Sequence, residues 1–196
     1  ESIKTRLQMF ILMSDVTIEN VTNKYQQVGL IDENLTDSYV LNNHLSLMLI
    51  DSQNTEKFKF TSQEYWDKAC IDNFIPEINS ITTEKFVPQM LNLDINEIGV
   101  DFAKGCYPGQ EVVARLHYLG QAKRRLFVFK SASEIKVGDD LYCPSSKSAK
   151  ACGSVVFQVK FKADYFCLAI LELAHKNDQI YLINEQGPTL TRVNHE

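Results

Sequence analysis

No apolar run in this sequence approaches the about 18–20 residues needed to cross a bilayer; the longest candidate, Leu45 to Ile50, has the length of a strand. A basic start followed by an apolar stretch, the mark of a secretory leader, is also missing. The five cysteines (Cys70, Cys106, Cys143, Cys152 and Cys167) contain no C-x-x-C pair, which excludes a zinc knuckle or a conventional cluster-binding spacing as a sequence motif. Odd in number and widely spaced, they read as reduced thiols in a cytoplasmic compartment. Positive charge is short as well: Lys and Arg total 20 against 25 Asp and Glu, a net charge of -5. Broad phosphate contact needs the opposite balance, so no direct nucleic-acid binding is expected. Internal repeats and low-complexity tracts are absent. The chain also lacks an initiator Met. It opens at Glu1 into helical spacing over residues 2–13, with Ile3, Leu7, Phe10 and Ile11 on one face. Such a helix needs a partner surface, so the chain is expected to be a piece of a larger protein.

What is present is ordinary globular material: 196 residues, 44% hydrophobic and 23% charged, enough for one large domain or two small ones. Val16 to Val21 alternates with β-branched residues and predicts a strand; Val28 to Ile31, Tyr39 to Leu41 and His44 to Ile50 predict others, with a turn at Asn42-Asn43. Phe58 to Phe60 reads as a short strand. Thr61 and Glu64 then form a capping-box pattern ahead of a helix through Tyr65, Trp66, Ala69 and Cys70. From Pro76 to Phe102 the pattern loosens, broken by Pro76, Pro88 and Gly99, in the manner of a connection that carries function. Gln110 to Leu119 predicts a helix with Val112, Leu116 and Leu119 as its stripe, Gly120 as its end, and Glu111 and Arg115 paired four apart; a strand reading of this short segment stays open. Beyond Lys123 the runs 126–129, 140–143, 154–159, 166–171 and 180–183, with turns at Gly138-Asp139 and Gly187-Pro188, predict a small β-barrel. The fold class is thus α+β, with domains expected at 1–122 and 123–196.

Chemistry concentrates at Lys104-Gly105-Cys106-Tyr107-Pro108-Gly109-Gln110-Glu111. Lys104 and the start of the following helix place positive potential near Cys106, a setting that favours a nucleophilic or ligating thiolate; the alternative is an inert buried thiol. Gly105 and Gly109 permit positive φ, and Pro108 stiffens the loop. Lys104, Arg115, Lys123, Arg124 and Arg125 form either solvated ends of elements or an anion-attracting rim. Tyr107 and Tyr118 would stack on a planar ring or simply pack. The other four cysteines read as core thiols, and His44, His117, His175 and His195 are too scattered to suggest a metal site.

The eight-residue loop closely resembles the K-G-C-[FY]-x-G-Q-E signature of YgfZ-type proteins, and Phe86 to Asp94, Tyr118-Leu119-Gly120 and Lys123-Arg124-Arg125 resemble the segments that flank it in that family. Ile98 to Phe102 and Leu116 depart from the usual pattern, and the family's N-terminal segment is not in this chain. The resemblance implies part of an aminomethyltransferase-like folate-binding fold, with a ferredoxin-like α+β unit and a C-terminal barrel. It also implies an accessory role in assembly or repair of iron–sulfur enzymes, including cluster-dependent tRNA modification. On that basis Cys106 and Lys104 are the expected catalytic pair. Tyr107, Gly109, Gln110, Glu111, Arg115 and Tyr118 are the expected contacts to tetrahydrofolate, with no metal ligands. The expected protein is a cytoplasmic monomer whose partners are folate and iron–sulfur client enzymes. Two other readings stay open: a tetrahydrofolate-dependent aminomethyltransferase, and a non-catalytic scaffold with a vestigial folate pocket.

Overall fold

The computed structural model describes residues 2–11, 15–95, 98–107, 109–146 and 150–193; Pro108 and His195 lie outside them. The chain forms two units, residues 1–60 and 61–196. The boundary expected between 122 and 123 falls inside the second unit, just ahead of its first strand. No helix among the described residues is long and apolar enough to cross a membrane.

In the first unit, helix α1 spans Ser2–Gln8. It ends before the apolar spacing does, in turn bonds from the Phe10 and Ile11 amides to the carbonyls of Leu7 and Gln8. The strand expected at Val16 to Val21 does not form. Its alternation finds no neighbouring strand to pair with, and Val16 stays 55% exposed. Asn20 instead accepts the amide and hydroxyl of Thr22, turning the chain into β1. Strands β1 (Tyr25–Ile31), β2 (Tyr39–Val40) and β3 (Leu45–Asp51) make an antiparallel sheet in the order β1-β3-β2. Asn42 shapes the β2–β3 turn, its side chain accepting the amides of His44 and Leu45. Along β3, Met48 and Ile50 are buried while Leu49 and Asp51 are exposed, the period of a one-sided sheet. The segment 58–60 is not a strand; it follows a 3-10 turn at Ser52–Lys57.

The second unit opens with α2 (Gln63–Asp72). Its N-cap is Ser62, not Thr61, and the expected capping box is absent: Glu64 is only two residues into the helix, and the Ser62 hydroxyl donates to its carboxylate at 3.2 Å. Beyond α3 (Gln110–Leu119), six strands close an antiparallel barrel: β4 (Arg124–Ser131), β5 (Asp140–Tyr142), β6 (Gly153–Phe161), β7 (Asp164–Glu172), β8 (Ile180–Leu182) and β9 (Thr189–Arg192). Their order is β4-β7-β6-β5-β8-β9, with β9 pairing back to β4 through Phe129↔Arg192 and Lys130↔Thr191. The interior holds Phe129, Leu141, Val155, Cys167, Ala169 and Leu171 among others. Leu168 and Ile170 alternate with those inward residues yet are fully buried too, because α2 packs over this outer face of β6 and β7. Tyr65 meets Phe161 edge-on at 5.2 Å, and the Lys68 ammonium sits 4.4 Å above the Phe166 ring. A bulge between Val155 and Phe157 lets three successive β6 residues be buried where strict alternation would expose one.

Candidate functional site

The signature loop is held by its own short-range bonds. The Gln110 amide donates to the Tyr107 carbonyl at 3.2 Å, and the Tyr107 amide donates back to the Gln110 side-chain oxygen at 3.2 Å. Gly109 is the N-cap of α3 with φ of 90°, a left-handed conformation in which a side chain would be strained. Upstream, Asp101 accepts the Ala103 amide at 2.9 Å and lies 3.9 Å from the Lys104 ammonium. The loop thus presents Lys104, Gly105, Cys106 and Tyr107 to solvent, with Gln110 half-buried behind them.

On α3, Glu111, Arg115 and Tyr118 are exposed. The expected Glu111–Arg115 ion pair is not formed among the described residues. The helix stripe also differs from the expected one: Val113 is the buried position, whereas Val112 and Leu119 are 65% and 83% exposed. The reason is the helix's partner, a 3-10 turn at Pro88–Leu91. Gln89 from this turn donates to the Val113 carbonyl at 2.7 Å and thereby fixes which face turns inward. At the far end, the His117 ring stacks on Phe102 at 3.8 Å and Tyr118 meets His117 edge-on at 4.8 Å, tying the segment before the loop to the end of the helix.

The loosely patterned connection proves to be a clamp on the barrel. Asn92, in left-handed conformation at φ of 59°, pairs with β4 as another strand would: its amide nitrogen donates to the Leu126 carbonyl at 3.0 Å and its oxygen accepts the Leu126 amide at 3.2 Å. Asp94 takes both terminal nitrogens of Arg125, whose guanidinium also reaches the Gln89 carbonyl at 2.9 Å. Gly99 completes the clamp, since a Cβ there would stand 1.8 Å from the Leu93 carbonyl oxygen. A cleft of about 310 Å³ lies between these parts, lined by residues including Gln89, Asp94, His117, Gln121 and Arg125. None of the expected folate contacts lines it. Of the five basic residues, Arg125 is committed to Asp94 and Arg124 to Glu172 at 2.6 Å.

The five thiols divide sharply: Cys106 is exposed and the other four are buried. Burial, aided by nearby Asp67 and Glu77, pushes the Cys70 thiol up to about 12. Burial likewise raises Cys152 to about 11 and drives Cys167 up strongly. Native-state iodoacetamide at neutral pH is therefore expected to label Cys106 about 100-fold faster than Cys70, Cys152 or Cys167, each of which must await an opening costing a few kcal/mol. Mass spectrometry of timed samples would show this, and equal labelling of all the cysteines would contradict it.

A second polar cluster, not visible in the sequence, sits at one end of the barrel. The Cys143 thiol, the Ser145 hydroxyl and the His175 ring converge on one carboxylate oxygen of Asp178. Their hydrogen bonds, that of Ser145 foremost, hold the Asp178 carboxyl down at about 2.

No protein-family model matches the chain. It is 29% identical over 194 residues, 95% of this chain and 68% of the relative, to an uncharacterized protein of Haemophilus influenzae. To the tRNA-modifying protein YgfZ of Colwellia psychrerythraea it is 49% identical over 74 residues, covering 37% of this chain and 22% of that protein. To the tRNA-modifying protein YgfZ of Escherichia coli it is 32% identical over 146 residues, covering 73% of this chain and 44% of that protein. The chain thus matches less than half the length of these two YgfZ proteins.

Proposed function

The chain belongs to the YgfZ family, and from that membership we propose that it acts as a folate-binding accessory protein for iron–sulfur enzymes, including those of tRNA modification, with Cys106 as its working thiol. The observation that carries this reading is the exposure of Cys106 on the loop entering α3, while the four other cysteines are buried. A thiol that exchanges with or transiently ligates a metal held by a client protein must be reachable by that protein, and the buried thiols of Cys70, Cys152 and Cys167, with their raised pKa values, are not. Lys104, exposed two residues before it on the same loop, belongs to the same proposal as its catalytic partner. The aminomethyltransferase-like architecture belongs to the same proposal, with the barrel as its C-terminal part, as does a monomeric protein working in the cytoplasm.

The folate arm of the proposal uses the exposed side of the loop and helix. Tyr107 and Tyr118 offer aromatic faces to a pterin ring, and Arg115 offers a guanidinium to the carboxylates of the glutamate tail. Gly109 and Gln110 act through loop shape, Gln110 locking Tyr107 and Gly109 leaving the backbone open to a ligand, while exposed Glu111 would orient a polar group of the ligand. Titration of the protein with tetrahydrofolate tests this arm. Saturable one-to-one binding is expected, weakened about three- to tenfold by Tyr118→Ala, the worth of one stacking contact. Absence of binding would overturn it.

A further inference from the structure

We propose that Cys143, His175 and Asp178, with the Ser145 hydroxyl, form a binding site for one borderline-soft divalent cation of the zinc type at the end of the barrel. The site is independent of the folate reading and shares no residue with it.

The barrel assembles the cluster. Strands β5 and β8 pair antiparallel with Leu141 opposite Leu182 and Tyr142 opposite Tyr181. The chain leaving β5 and the chain entering β8 therefore meet at the same end of the barrel, where the Ser145 hydroxyl donates to the Asp178 carboxylate. Cys143 directly follows β5, and its carbonyl accepts the Ser146 amide at 3.0 Å, which turns the chain over the barrel mouth. On the other side a short 3-10 turn, Leu173–His175, and a bond from the Asp178 amide to the His175 carbonyl at 3.1 Å present both side chains to the same point. Residues far apart in the chain are therefore held by the closed sheet and not by a flexible loop alone.

The donor set and its spacing suit zinc. The Cys143 sulfur is 2.8 Å from the Ser145 oxygen and 3.2 Å from the Asp178 carboxylate, and the His175 Nδ1 is 2.9 Å from the same carboxylate oxygen. The sulfur, ring nitrogen and carboxylate oxygen all lie within 4.8 Å of one another. Tetrahedral zinc with bonds near 2.0 Å to nitrogen or oxygen and 2.3 Å to sulfur places its ligand atoms roughly 3.3–3.6 Å apart. Side-chain rotations, of the 34% exposed Asp178 to lengthen its short contacts and of His175 to set its distance from the sulfur, would bring the three donors to that spacing. Thiolate and imidazole together select zinc-like ions over magnesium or calcium, whose ligands are oxygens. On binding, the Cys143 S–H bond gives its proton to solvent and the sulfur becomes the metal's anionic ligand, with Asp178 the second. Cys143 is buried in the barrel core, so the ion would be shielded on its inner side, while exposed Ser145 and the partly exposed Asp178 leave an entry path.

The test is a titration of the metal-free protein with Co²⁺, whose thiolate ligation gives a charge-transfer absorption band, followed by displacement with Zn²⁺. One equivalent per chain is expected to give the band and Zn²⁺ to remove it. Cys106→Ser should keep the band and Cys143→Ser should lose it. Because Cys143 is also a buried core residue, two further variants test the site without touching the core: Asp178→Asn and His175→Ala, checked for intact circular dichroism, should each weaken binding at least tenfold. Absence of a stoichiometric band in the wild-type protein, a band that survives Cys143→Ser, or unchanged affinity in both remaining variants would overturn the proposal.

Discussion

Arg125→Ala is expected to lower the stability of the protein by about 3–5 kcal/mol, the loss that follows when one partner of a buried ion pair is removed. Asp94 is the partner, with only 7% of its side chain exposed against 22% for Arg125. In the variant its carboxylate would remain largely out of water with no counter-charge. The same change orphans the Gln89 carbonyl, which now accepts an N–H from the guanidinium. Gln89 in turn anchors α3 through Val113, so the effect should spread to the helix behind the signature loop. The attraction itself is not the main term, since desolvation offsets much of it. A double variant, Asp94→Leu with Arg125→Met, is therefore expected to recover a large part of the loss. Urea unfolding of the wild type and both variants measures this; a loss below about 1 kcal/mol for Arg125→Ala would show that the clamp on β4 contributes little.

Cys106→Ala should behave in the opposite way, leaving stability within about 0.5 kcal/mol of the wild type while removing function. The side chain is exposed, and neighbouring Gly105 has nothing within 4 Å of where a Cβ would lie, so this part of the loop has room. The loop's shape comes from the Tyr107–Gln110 bonds and from Gly109, which the substitution does not touch. Unchanged unfolding with lost activity would separate a chemical role from a structural one.

Much of this architecture was legible in the sequence. The barrel strands from Leu126 to Leu182 carry β-branched and aromatic runs between turn residues, and Gly138, at φ of 91°, sits where a turn was expected. The segment closing the barrel was not: β9 has a single buried residue, Leu190, and its place is fixed by edges offered by β4 and β8. The reverse happened at Val16 to Val21, where good local alternation had no edge to join. The helix stripe on α3 was misread because Gln89, distant in sequence, decides which face is inward. The signature loop could be found from contiguous residues. The Cys143, His175 and Asp178 cluster could not, because only the β5–β8 register brings it together.

The most direct test of the central claim is complementation of a strain lacking its own YgfZ-type protein, scoring cluster-dependent tRNA methylthiolation with the wild-type protein and with Cys106→Ala at matched expression. Rescue by the wild type and none by the variant is the predicted result. Equal rescue by both would contradict a working thiol at Cys106 and reduce the signature loop to architecture.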